Sequence, residues 1–110
     1  ELVARDYPFL TVVDFGHIAD GGVHFNVIWR KDAAEQYDPA VVQRLRDAIY
    51  GMVVQDFGGS YSAEHGVGPH NLAYYHRFTP ALQQQWADQW HHQLDPLHLC
   101  GSVDLGTPKA

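Results

Sequence analysis

Between Thr11 and Arg30 the chain alternates apolar and polar residues on either side of Asp20-Gly21-Gly22. A period of two marks strands with one buried face, and a glycine-rich turn between two such runs predicts a β-hairpin. With Asp20 and Gly21 as the central turn residues, Ala19 faces Gly22 and His17 falls directly opposite His24. One face then carries Val12, Ile18, Val23, Phe25, Val27 and Trp29, with Asp14 and Gly16 as exceptions, and reads as a core face. The other carries Phe15, His17, His24 and Asn26. Opposed residues in a hairpin hold their Cβ atoms about 4.5–5.5 Å apart, close enough for two imidazoles to share one metal ion. A register slip of one residue would break that pair.

Residues 31–38 are polar and aperiodic, a loop. Asp38 then offers an N-cap and Pro39 a first helical residue, and Val41, Val42, Leu45, Ile49, Met52 and Val53 recur at helical spacing. Phe57-Gly58-Gly59 stops this helix. A second glycine-framed stretch follows, Gly58-Gly59-Ser60-Tyr61-Ser62-Ala63-Glu64-His65-Gly66-Val67-Gly68, presenting an acid beside an imidazole. Pro69–Tyr75 predicts a short helical turn. Thr79-Pro80 repeats the cap-then-proline start, and Leu82, Trp86 and Trp90 at i, i+4, i+8 predict a core-facing helix that Asp95-Pro96 ends. Leu97–Ala110 reads as irregular. The expected class is α+β: a hairpin and two main helices packed on an antiparallel sheet.

A chain of 110 residues with 45% hydrophobic content suits one domain, residues 1–110, rather than two or a disordered polymer. Its formal charge of −6, with seven Lys and Arg, lacks the basic footprint of a nucleic-acid or anionic-lipid binder. No apolar run approaches the roughly 20 residues of a membrane span, and no signal peptide is evident. Cys100 is the single cysteine, which rules out an internal disulfide and a cysteine-based zinc site and fits a reducing cytoplasm. The chain opens at Glu1 with Glu1–Arg5 reading as the tail of a helix, as in a piece of a longer polypeptide.

Two stretches thus offer chemistry. Two histidines and a carboxylate (His17, His24, Glu64) are ligands that Zn²⁺ or Mn²⁺ accepts with a position left open for substrate. Such a Lewis acid can hold a carboxylate or hydroxyl and lower the hydroxyl's pKa, and His65, not bound to metal, is placed to take the proton. Against this stands a plainer reading, a pair of partly exposed hairpin histidines and an ordinary surface loop. His91, His92 and His98 read as surface or helix residues, as do His70 and His76, which lie just downstream of the loop and are candidates to border it. Nothing matches a phosphate loop or a Ser-His-Asp order.

Phe15-Gly16-His17-Ile18-Ala19-Asp20-Gly21-Gly22-Val23-His24-Phe25-Asn26-Val27 resembles the GHxGDGNxHxN segment of the FAD-linked oxidase C-terminal domain family. Gly59–Gly68 resembles the same family's GSxSAEHGxG. The match is good over residues 11–68 and beyond them lies only in layout, with Asp95-Pro96 where the family has its DP. Members include D-lactate dehydrogenase, the glycolate oxidase FAD subunit and D-2-hydroxyglutarate dehydrogenase. The resemblance implies an FAD-dependent 2-hydroxyacid dehydrogenase whose flavin sits on a separate N-terminal domain. This chain would then be the last part of a ferredoxin-like cap that supplies the substrate site. It implies His17, His24 and Glu64 as ligands of a divalent metal, often zinc, His65 as the base for the 2-hydroxyl, and Asn26 as a substrate contact. The flavin domain and a small 2-hydroxy acid become the expected partners, and the isolated piece is expected to be inactive.

Three departures qualify the resemblance. Gly22 replaces the family's turn asparagine, Asn71 stands where a lysine is usual, and NPGK is not recognisable in Gly101-Ser102-Val103-Asp104. An incomplete sheet would leave an exposed edge that a second copy could cover. Two other functions stay open: a non-catalytic metal-binding or self-associating module, and a small metal-dependent hydrolase, though no helical HExxH accompanies the histidines.

Overall fold

The strand pattern folds as the alternation requires. A computed structural model describes residues 1–17, 19–101 and 105. They divide into two compact units, Glu1–Ile49 and the chain from Tyr50 onward. Helices and a two-stranded antiparallel sheet together make an α+β protein.

In the first unit, a short helix α1 (Leu2–Asp6) leads into β1 (Leu10–His17), which pairs with β2 (Gly22–Trp29). The register sets Leu10 against Trp29 and His17 against Gly22, so His24 lies opposite Phe15 rather than His17. The connection is therefore four residues, 18–21, not a two-residue turn. The shift is even, and an even shift keeps every side chain on its face. Val12, Val23, Phe25, Val27 and Trp29 still share one face, and Phe15, His17, His24 and Asn26 the other; Ile18 lies outside the described residues.

The base of the hairpin is where the unit packs. Trp29 lies 4.8 Å from the Phe9 ring and 5.2 Å from that of Tyr37, and its Nε1–H donates to Ala33 O at 2.7 Å. Val3, Ala33 and Leu45 are buried. Towards the tip the expected core face is open: Val23 and Phe25 are exposed. The stretch read as a loop contains two short 3-10 turns within Lys31–Gln36 that meet at a kink at Ala33, whose carbonyl accepts the indole bond.

Helix α2 (Pro39–Gln55) starts and stops as its sequence dictates. The Asp38 carboxylate accepts the Ala40 N–H at 2.9 Å, a cap worth about 1 kcal/mol. At the other end Gly58 takes φ +62 and the Gly59 N–H reaches back six residues to Val53 O at 2.8 Å, a glycine stop that satisfies one of the helix's last carbonyls.

In the second unit, α3 (Leu72–Phe78) and α4 (Ala81–Leu94) follow the loop. The helical turn expected over Pro69–Tyr75 lies three residues later, over Leu72–Phe78. Tyr74 and Tyr75 form its buried core, with Tyr50 packed edge-on to Tyr74 at 4.7 Å. Thr79 does not cap α4; Pro80 holds that position, and Thr79 Oγ1 bonds the Tyr61 hydroxyl at 3.0 Å. Gln84 clasps the junction of the two helices. Its Nε2 reaches the carbonyls of Thr79 (2.7 Å), His76 (3.3 Å) and Tyr75 (3.5 Å). Its Oε1 faces His76 Nδ1 at 3.1 Å, so His76 donates through Nδ1.

The stripe expected to face a core on α4 is exposed instead: Leu82 at 56%, Trp86 at 57% and Trp90 at 59%. Periodicity shows that a helix face is apolar and says nothing of what covers it. Ser102–Asp104 and Gly106–Ala110, including most of the stretch compared with NPGK, lie outside the described residues. No helix among the described residues is long and apolar enough to cross a membrane.

Candidate functional site

The tip of the hairpin is shaped by Asp20 and two glycines. Asp20 Oδ1 accepts the Gly22 N–H at 2.8 Å, a local side-chain turn, and Gly21 takes φ +73. At Gly16 a Cβ would stand 2.2 Å from Gly22 O, so only glycine lets the strands close there. This fixes the end of β1, and with it His17.

His17 and His24 share a face but are diagonal, not opposed, because the register is offset by two residues. Diagonal neighbours lie about 7–8 Å apart between Cα atoms and somewhat less between Cβ atoms, within reach of long side chains. The Phe15 ring stacks on His24 with centroids 4.9 Å apart and planes at 13°, holding the imidazole face to face with the phenyl ring. Asn26 lies one step further along the same face, opposite Val13. The hairpin by itself supplies two imidazole nitrogen donors, a ligand type that a borderline divalent ion such as Zn²⁺ accepts.

The glycine-framed loop is held by its own polar groups. Ser60 Oγ accepts the Ser62 N–H at 3.1 Å, and Ser62 Oγ donates to Gly66 O at 2.6 Å. Asn71 donates its Nδ2–H to that carbonyl at 3.4 Å and its backbone N–H to Gly68 O at 3.0 Å. Gly66, at φ +64, makes the bend that follows His65. Glu64 and His65 both point outward; their Oε2 and Nε2 stand 3.6 Å apart and the His65 side chain is 93% exposed. The asparagine that replaces the usual lysine thus ties the loop to the start of α3.

His17, His24 and Asn26 belong to the first unit, Glu64 and His65 to the second. Among the described residues no group of three or more His, Cys, Asp or Glu side chains makes a ready metal cage. Two features escaped the sequence reading: the Gln84 clasp on His76, and an imidazole cluster of His91, His92 and His98 at the C-terminal end of α4. The run His91-His92-Gln93-Leu94-Asp95-Pro96-Leu97-His98 was the available signal for the second, a helix-ending Asp-Pro that can fold the third histidine back.

A family profile described as "FAD linked oxidases, C-terminal domain" matches residues 1–102. The chain belongs to this family, which is one of FAD-linked oxidoreductases. Among curated proteins it is similar to the D-2-hydroxyglutarate dehydrogenase of Xanthomonas citri pv. viticola, 44% identical over 62 residues, covering 56% of this chain and 13% of that protein. It is 35% identical over 77 residues to the D-2-hydroxyglutarate dehydrogenase of Stutzerimonas stutzeri, covering 61% of this chain and 14% of that one. It is also 40% identical over 63 residues to a Schizosaccharomyces pombe protein provisionally named a mitochondrial D-lactate dehydrogenase, covering 57% and 11%. The chain thus spans about an eighth of the length of these relatives. No solved structure matches at comparable significance.

Proposed function

We propose that this chain is the substrate-binding cap segment of an FAD-dependent dehydrogenase of small 2-hydroxy acids, with 2-hydroxyglutarate and lactate the first substrates to test. The observation that carries the reading is the pair of motifs themselves, His17/His24/Asn26 on one sheet face and Glu64-His65 outward on a loop, in a chain of this family. Flavin, when bound on its own domain, supplies the hydride acceptor. This chain's residues do the rest. His65 takes the proton of the 2-hydroxyl through an exposed imidazole, with the Glu64 carboxylate beside it. Asn26 hydrogen-bonds the substrate. His17, His24 and Glu64 would hold a divalent ion, Zn²⁺ by the nature of the donors, and that ion would bind the substrate's oxygens. The single exposed thiol, Cys100, suits a reducing compartment such as the cytoplasm.

The test is anaerobic flavin reduction in the full-length enzyme that carries this segment. Wild type should bleach its flavin with a D-2-hydroxy acid, and His65→Gln should slow that step by about 10²–10⁴-fold. Asn26→Ala should raise KM, and His17→Ala/His24→Ala should lower bound metal. A His65→Gln enzyme that reduces its flavin at the wild-type rate would remove His65 from the reaction.

The apolar stripe of α4 favours a second reading, a self-associating module. In that case the isolated chain elutes as a dimer and a Trp86→Glu variant as a monomer.

A further inference from the structure

The tip that carries Glu64 and His65 is bridged by a side chain to which the proposed reaction gives no part. Ser62 Oγ donates to Gly66 O at 2.6 Å, spanning Ala63, Glu64 and His65. That distance is on the short side for a hydroxyl bonded to a neutral oxygen. Gly66, at φ +64, bends the chain in the left-handed sense, and its carbonyl meets Ser62 across the tip. The other polar groups of Ser62 are engaged as well. Its N–H donates to Ser60 Oγ at 3.1 Å, and its carbonyl accepts the Ser60 hydroxyl at 3.0 Å. Ser62 is thus held where the chain enters the tip, and it holds the chain where it leaves.

Both flanks of this bridge are anchored further out. Upstream, the Tyr61 hydroxyl shares a hydrogen bond with Thr79 Oγ1 at 3.0 Å, and its ring lies 6.1 Å from that of Phe78. Downstream, the Asn71 N–H donates to Gly68 O at 3.0 Å, and the Asn71 carbonyl accepts the Tyr75 N–H at 2.9 Å in the first turn of α3. The Asn71 amide also reaches the Gly66 carbonyl, but at 3.4 Å, a longer bond than that from Ser62. These anchors place the two ends of the loop; they do not fix the path of residues 63–65 between them. The Ser62–Gly66 bond does, by closing the ends of that path on each other. A tip closed over three residues has fewer backbone conformations than one tethered only at its outer flanks. The His65 side chain is 93% exposed, so it takes little of its aim from packing and most of it from the backbone beneath.

We propose that Ser62 is a positioning residue for the base: by holding the Gly66 carbonyl, its hydroxyl sets where the 63–65 tip presents the His65 imidazole. Ser62 has this role only if His65 takes the 2-hydroxyl proton, as proposed above. A base works within hydrogen-bond reach of its proton, and a misplacement of about 1 Å can cost about 10²-fold in rate. Loss of the bridge therefore acts on the chemical step. It leaves the folded state in place, because α3 and α4 are built from other contacts: the Tyr74 and Tyr75 core and the Gln84 clasp.

The test compares Ser62→Ala, Ser62→Thr and His65→Gln in the full-length enzyme that carries this segment, with 2-hydroxyglutarate and lactate as substrates. Ser62→Ala should lower kcat and the rate of anaerobic flavin reduction by about 10–100-fold, with KM within about twofold of wild type. Its far-ultraviolet circular dichroism and melting temperature should stay close to wild type. Ser62→Thr, which keeps the hydroxyl, should recover most of the rate. A slow His65→Gln enzyme beside a Ser62→Ala enzyme of wild-type kcat overturns the role of Ser62 alone. A His65→Gln enzyme at the wild-type rate removes the base, and the role of Ser62 with it. The role of Ser62 is also overturned by a rise in KM at unchanged kcat, by a loss of rate that matches a loss of folded enzyme, or by a Ser62→Thr enzyme as slow as Ser62→Ala.

Discussion

At Gly16 a single hydrogen in place of a methyl group decides whether the hairpin tip can close. Its absent Cβ would meet the Gly22 carbonyl at 2.2 Å, and a backbone oxygen paired in a strand cannot swing aside. Gly16→Ala should cost about 1–3 kcal/mol, read as a lower melting temperature with altered His17 resonances. Tyr75 makes the opposite case. It is buried, and its hydroxyl has no partner among the described residues. Tyr75→Phe should therefore leave stability within about 0.5 kcal/mol of wild type or raise it. Burial also pushes the Tyr75 phenol above its ordinary value. A raised folded pKa means that its stabilising contribution is intact below the unfolded value, about 10, and is lost as pH rises through the folded one. Alkaline unfolding curves should show that loss in wild type and not in Tyr75→Phe. Gly16 stood in the sequence as an exception on an apolar face; the close approach that explains it comes from the pairing of a distant residue.

Among the elements, the helix ends were legible because their determinants are local. Asp38-Pro39 starts α2 and Gly58-Gly59 stops it through atoms within six residues of each end. The hairpin was legible as two strands with correct faces, since alternation survives an even shift of register, but not in its pairing. The turn was misjudged because Asp20 uses its own side chain to bond Gly22, so the strands close two residues before the apparent two-residue turn. Gln84 was not legible at all: a glutamine on a helix reads as solvent-facing until its neighbours are known. Its amide satisfies groups on α3 and at the helix junction, and Gln84→Leu should cost about 1–3 kcal/mol by leaving those carbonyls and His76 Nδ1 unpaired. Denaturation by urea, followed by circular dichroism, measures it.

For the molecule as a whole, what the sequence could name were the motif residues; what it could not supply was cover for its apolar surfaces. Trp86 and Trp90, two of the three tryptophans, are more than half exposed on α4, and Val23 and Phe25 are exposed on the hairpin. The chain spans about an eighth of its curated relatives' length. In the flavin-domain enzyme proposed above, these surfaces should be buried, and tryptophan emission, red-shifted in the isolated chain, should move to shorter wavelength there. Unchanged emission would leave the stripe as free surface in both. The hairpin's ladder has a further consequence, for how the chain acquires its structure. Its pairings join residues no more than about twenty positions apart, from Leu10–Trp29 to His17–Gly22. Loops this short close in well under a microsecond and hairpins form in about 1–10 μs, far faster than a ribosome adds one residue. The face bearing His17, His24 and Asn26 is therefore assembled early, as soon as its own strands have been synthesised.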